Sequence, residues 1–208
     1  MGWTARALCV LGMGTVLWAQ AAVPAADFGA QRPSPDARYV ADWAMGAGDA
    51  DNKPFVIIDK KAARIYVFEA GGKLIGSSAA LLGQAIGDHT VPGVGQRTQS
   101  GTVQPEDRTT PAGRFISQPG RNLQGEKVVW VDYAAAFAIH RLRPGAAKER
   151  REARLASPAS DDNRASLGCV VVPVAFYENV VQPVLGAVRA VVYVLPETQP
   201  VHEVFGNL

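Results

Sequence analysis

Phe55-Val56-Ile57-Ile58-Asp59, followed by Lys60-Lys61-Ala62-Ala63 and then Arg64-Ile65-Tyr66-Val67-Phe68, is the stretch on which the fold turns. Both apolar runs are β-branched and aromatic, the composition that fills a pleated, buried surface. The short polar segment between them makes the pair an antiparallel hairpin. Outward from it, Gly71-Gly72 marks a second turn and Lys73 to Leu82 a third strand. Further strands are predicted at Arg114–Ser117, Lys127–Val131, Phe137–His140 and Ala190–Leu195. Residues 83–110 are rich in Gly, Thr and Gln with little periodicity and read as a long loop that could act as a lid. The expected architecture over 54–197 is one mainly β domain with a few peripheral helices.

Three helices are expected around it. Ser34-Pro35-Asp36 combines a capping hydroxyl, a first-turn proline and an acid at the positive helix end. Tyr39, Val40 and Trp43 fall on one face of that helix, and Gly46 or Gly48 stops it. Residues 145–156 have helix-forming composition, and Pro173–Gly186 is the third helix. Residues 22–33 read as a flexible leader, so that 22–53 comprises leader and short helix, and 198–208 reads as a tail.

Length and composition narrow the function classes. The chain has 208 residues, 48% apolar and 19% charged, enough for a buried core and unlike a disordered or fibrous chain. With 21 Lys+Arg against 19 Asp+Glu the net charge is +2, which supplies no electrostatic footprint for nucleic acid. Residues 1–21 read as a secretory signal peptide: Arg6, an apolar run from Ala7 to Leu17 too short to span a bilayer, and Ala19-Gln20-Ala21 as the cleavage site. The expectation is an exported, periplasmic protein without a stable membrane anchor. Cys9 leaves with the signal, and Cys169 remains without an internal disulfide partner. His89 and His202 have no metal-ligand spacing with any other histidine, so no metal site is expected.

Cys169 lies in Ser166-Leu167-Gly168-Cys169-Val170-Val171-Val172-Pro173, a loop entering an apolar strand. Gly168 removes a side chain beside the sulfur, and the N–H groups of Gly168 and Cys169 could bind an oxyanion. His140 ends its strand, and an imidazole within reach of Cys169 would activate the thiol as nucleophile. The basic residues between Arg141 and Arg154 read as a solvated face.

Four segments in this order resemble the catalytic domain of the L,D-transpeptidases, the YkuD-like family. They are the 55–73 hairpin, Thr109-Thr110-Pro111-Ala112-Gly113-Arg114-Phe115, Phe137-Ala138-Ile139-His140 and Ser166-Leu167-Gly168-Cys169-Val170. The resemblance runs from about Pro54 to Pro196 and implies an L,D-transpeptidase-like β-sandwich. It also implies acyl transfer on peptidoglycan stem peptides: a cysteine thiolate attacks the L,D bond of a tetrapeptide, D-alanine leaves, and an amine or water takes the acyl group. Carried onto this chain, Cys169 is the nucleophile and His140 the base. The Arg141 carbonyl orients the imidazole, Ser166 lines the pocket, and Gly168 with Cys169 donates to the oxyanion. The resemblance implies neither a metal nor an organic cofactor.

Two positions depart from the family pattern. Leu167 stands where the family usually has His, and Val171 where it usually has Arg or Asn. The expectation is that Arg164 or Arg141 replaces the missing charge and holds a substrate carboxylate, with Leu167 also at the substrate. The rival reading is a degenerate domain that binds cell-wall peptide without turnover. A sortase-like acyltransferase also places His before Cys, but the Thr-Leu-x-Thr-Cys segment expected there is missing.

Overall fold

The computed structural model describes residues 24–145 and 147–206. The signal peptide read at 1–21 lies outside the described residues. In chain order the strands are β1 (Phe55–Asp59), β2 (Arg64–Phe68), β3 (Leu74–Ala79), β4 (Leu82–Gly83), β5 (Gly113–Ile116) and β6 (Gln118–Arg121). They continue with β7 (Lys127–Asp132), β8 (Phe137–Arg141), β9 (Arg164–Ser166), β10 (Val170–Val172) and β11 (Val191–Val194). Two sheets, ordered β3-β2-β1-β11-β5 and β10-β8-β7-β6, face each other, and β4 pairs with β9 at their margin. The protein is mainly β, as the residue pattern predicts.

The central strands are buried on both faces, which is why Phe55–Ile58 reads as an unbroken apolar run and not as an alternation. Val56, Ile58, Ile65 and Val67 meet Val129, Phe137, Ile139 and Val170 in the core between the sheets. Phe55, Ile57, Tyr66 and Phe68 point the other way, under α1 (Pro35–Gly46), Phe28 and Phe205. The 22–33 segment is therefore not a free leader throughout: Ala26 and Phe28 are buried, and Asp27 bridges Lys73. The helix Val201–Phe205 likewise ties down the expected tail through Phe205.

Ser34 caps α1 as predicted, accepting from the Ala37 N–H at 3.1 Å while donating to Asp59 at 2.5 Å. The buried stripe of α1 is Ala37, Val40, Ala41 and Ala44, and Tyr39 is exposed. Small side chains let this helix lie close against the aromatic face of the sheet, and that close approach decides the buried face in place of residue size.

Residues 83–110 are more ordered than the composition suggests. They contain α2 (Val94–Ser100) and a short 3-10 turn, Pro105–Asp107. Gly95 packs against the turn after β7: a Cβ there would sit 2.1 Å from the Ala134 carbonyl oxygen. The segment is a docked wall, held by backbone contact that only glycine permits.

Replacing Ser34 by Ala removes the cap and the Asp59 contact together. A loss of about 1 kcal/mol in unfolding free energy is expected, read as a lower urea midpoint with unchanged slope.

Candidate active site

Strand alternation places Ala138 and His140 on the outer face of β8, opposite the core residues Phe137 and Ile139. β10 runs parallel to β8 with Val171 paired to His140 and Val170 to Ile139. Cys169, immediately before β10, thus falls beside Ala138 on that outer face, one diagonal step from His140. Strand spacing and rise put the two Cα atoms roughly 8 Å apart. The face forms the floor of a cavity of about 370 Å³ lined by His140, Cys169, Val171 and Ser166.

Aromatic and apolar side chains make its rim. Trp130 and Tyr133 meet edge to face at 5.0 Å between ring centroids, and both line the cavity with Leu123 and Leu167. Tyr133 is 70% exposed, Leu123 80% and Leu167 40%. Gly120 makes room for the indole, since a Cβ there would lie 2.4 Å from Trp130 Cδ1. Thr98 and Gln99 of α2 close one side.

The turn that carries Cys169 is held from within. The Ser166 hydroxyl donates to the Cys169 carbonyl at 2.6 Å and accepts from the Gly168 N–H at 3.0 Å. Thr110 Oγ1 donates to the Gly168 carbonyl at 2.8 Å and accepts from the Gly83 N–H at 2.9 Å. Gly168 has φ +130°, and a Cβ on it would lie 2.8 Å from the Thr109 carbonyl oxygen. Glycine is required by space and backbone alike. This corrects the oxyanion expectation for Gly168, whose N–H is committed to Ser166.

Behind Thr110 lies a buried ionic cluster. Lys60 has no exposed surface, and its ammonium donates to Gly87 O at 2.7 Å, Asp88 Oδ1 at 2.6 Å and Thr110 O at 2.9 Å. Burial works against ionised Asp88, but hydrogen bonds from Lys60, Thr198 and the N–H groups of Glu197 and Thr198 outweigh it and hold the carboxyl well below the usual range. Arg164 belongs to this cluster. It pairs with Glu197 and donates to the Lys60 carbonyl at 3.3 Å, away from the lining of the thiol cavity.

That placement overturns the expectation that Arg164 holds substrate. A guanidinium already satisfied by a buried carboxylate is not free to take another. The Arg141 side chain is also turned elsewhere, donating to Glu126 at 2.9 Å. Its backbone does lie where expected: His140 Nδ1 is 2.8 Å from the Arg141 carbonyl oxygen. A carbonyl only accepts, so Nδ1 carries the proton and Nε2 is left as the basic atom. The arginines that do line the cavity are Arg121, Arg143 and Arg151. Sequence reasoning merged the last two into a solvated face, because a charge run says nothing of which member turns inward.

Burial lowers the His140 pKa to about 4; the Arg141 carbonyl opposes this, and the Arg143 and Arg151 charges add to it. Burial pushes the Cys169 thiol up, against a backbone hydrogen bond from Ala138 and the Arg143 charge. The resting pair is thus neutral thiol and neutral imidazole. The thiol contacts the Ala136 carbonyl at 3.4 Å. Among the described residues no group of His, Cys, Asp or Glu is arranged to hold a metal ion, and no helix is long and apolar enough to cross a membrane.

The sequence matches no protein-family model and no curated protein. Among solved structures, the chain is similar to an L,D-transpeptidase (residues 123–326) from Xylanimonas cellulosilytica, with 16% identity and a TM-score of 0.44 over 73% of this chain and 67% of that one. It is also similar to the helical cell shape determining protein Pgp2 of Campylobacter jejuni, with 16% identity and a TM-score of 0.42 over 81% of this chain and 58% of that one. The catalytic domain of an Enterococcus faecium L,D-transpeptidase aligns at 15% identity and a TM-score of 0.36, over 69% of this chain and 98% of that domain. This chain spans about three fifths of the length of Pgp2.

Thr110→Val keeps the shape but leaves the Gly83 N–H and the Gly168 carbonyl without their partner. Unfolding free energy is expected to fall by about 1–3 kcal/mol, and Cys169 alkylation to speed up because the loosened turn exposes the buried thiol. Thermal unfolding and iodoacetamide labelling rates check both.

Proposed function

We propose that this chain is an exported cysteine acyltransferase acting on peptidoglycan stem peptides through a Cys169 thioester. The observation that carries the reading is the juxtaposition of Cys169 and His140 on one cavity floor, with His140 Nδ1 occupied and Nε2 left basic. Leu167 and the Trp130–Tyr133 rim would bound the stem peptide. In the first step His140 Nε2 accepts the thiol proton as sulfur attacks the carbonyl of the L,D bond. The S–C bond forms, the C–N bond breaks, and the imidazolium returns the proton to the departing D-alanine amine. An amine of a neighbouring stem, or water, then attacks the thioester. It gives a proton to His140, and the thiolate leaving group recovers it.

The Cys169 N–H, rather than that of Gly168, is assigned to the oxyanion. The backbone hydrogen bond from Ala138 favours the thiolate as it forms. A second reading, a binding domain without turnover, is favoured by one feature. The thiol contacts the Ala136 carbonyl, and among the described residues no hydrogen bond joins it to the imidazole. The mechanism therefore requires the thiol to swing from Ala136 toward His140 when substrate arrives.

A carbapenem tests the two readings, since its β-lactam carbonyl can acylate the thiol. Intact mass is expected to show one adduct on the parent protein and none on Cys169→Ala. An unmodified parent with a free, reduced thiol favours the binding domain.

The pH dependence has a defined sign. His140 acts as a base only when neutral, and its pKa near 4 keeps it neutral through the whole mildly acidic range. The acylation rate should therefore hold between pH 5 and 7 and fall only as pH drops toward about 4. An acid limb centred at the ordinary histidine value would contradict the burial of His140.

A further inference from the structure

We propose that Arg143 and Arg151 form an anion-binding subsite beside Cys169 that takes a carboxylate carried by the acyl donor. The cavity over the thiol is lined by Arg121, Arg143 and Arg151 and by no Asp or Glu. Arg143 and Arg151 also line an adjoining cavity of about 350 Å³, which Arg150 and Glu152 share. The two guanidinium-bearing side chains therefore stand in the wall between the cavities.

Each already has a carboxylate partner, but Glu126 and Glu149 are partly exposed to solvent, unlike the buried Glu197 that holds Arg164. Glu126 is shared between Arg143, at 2.6 Å, and Arg141, at 2.9 Å, so one carboxylate faces two guanidinium groups. Arg151 pairs with Glu149 at 2.5 Å, and Glu149 does not line the cavity over the thiol. Arg121 donates to the Gly125 carbonyl at 2.5 Å, a neutral partner. Counting these groups, four arginines meet two glutamates, and three of the four arginines line the cavity while neither glutamate does. Planar guanidinium forks suit a carboxylate in both geometry and charge. Leu167 and Val171, which line the cavity on either side of Cys169, carry no charge. Here the positive charge comes from the segment after β8 and from α3 (Arg151–Ala156).

Naming the ligand an acyl donor rests on the proposed acyl transfer; the affinity for a carboxylate does not. The test uses two alkylating probes that differ in charge, iodoacetate and iodoacetamide. In each the thiolate displaces iodide, forming one S–C bond. The ratio of their rates at Cys169, divided by the same ratio for free glutathione, reports the field at the sulfur. We expect this value to be about tenfold above unity, since a unit charge within about 10 Å in a surface-like dielectric is worth about that much.

In Arg143→Gln/Arg151→Gln the value should fall to within about twofold of unity, while Arg143→Lys/Arg151→Lys should keep most of it. Arg189→Gln removes one unit of charge, half that of the double substitution, at an exposed position outside both cavities and should leave it unchanged. A parent value near unity overturns the subsite, as does a value indifferent to the double substitution or equally reduced by Arg189→Gln. If the carbapenem fails to acylate Cys169 while the anion preference holds, the acyl-transfer reading falls and the subsite stands. If acylation proceeds and the preference is absent, the reverse follows.

Discussion

The Thr110 hydroxyl is the constraint on which the candidate site depends. One oxygen accepts from the Gly83 N–H and donates to the Gly168 carbonyl, joining the end of β4 to the turn before Cys169. The Thr110 carbonyl accepts from Lys60, so the same residue connects that turn to a buried ionic cluster. Lys60 and Asp88 have no exposed side-chain surface, and Glu197 almost none. A cluster of this kind adds little net stability over an apolar core, but removing one partner leaves a buried charge uncompensated. It pins the residues that flank Cys169 to the end of β1, the close of the 83–110 segment and the start of the C-terminal segment.

On that support the sandwich presents a face of the second sheet to the cavity. The same burial that builds the face suppresses charge on Cys169 and His140, raising the thiol and lowering the imidazole. In the proposed reaction, proton transfer would then accompany attack, in place of a preformed thiolate–imidazolium pair. The Arg143 charge acts in one direction on both groups, favouring the thiolate and disfavouring the imidazolium. For the proposed reaction, this keeps the imidazole neutral at low pH while favouring the thiolate.

Much of this was legible in the residues. β1 and β2 follow from their β-branched runs, α1 from Ser34-Pro35, and the neighbourhood of Cys169 and His140 from the ordered motifs. What escaped were features without a local signature. β6, Gln118-Pro119-Gly120-Arg121, contains a proline and a glycine and becomes a strand only because β7 pairs with it at the sheet edge. α2 is seven residues long and owes its place to the contact of Gly95 with Ala134. Arg164 resembled a substrate ligand because it lies close to Cys169 in sequence, yet its partner, Glu197, is 33 residues away. Arg143 and Arg151 were hidden in a charge run, and Trp130 and Tyr133 are ordinary strand and turn residues until the cavity brings them together.

The most direct measurement is mass spectrometry of the protein and its products after incubation with a disaccharide-tetrapeptide. The account predicts free D-alanine and a transient acyl adduct on Cys169, both lost in Cys169→Ala. A parent protein that binds the tetrapeptide and releases no D-alanine would contradict it, leaving a cell-wall peptide-binding domain.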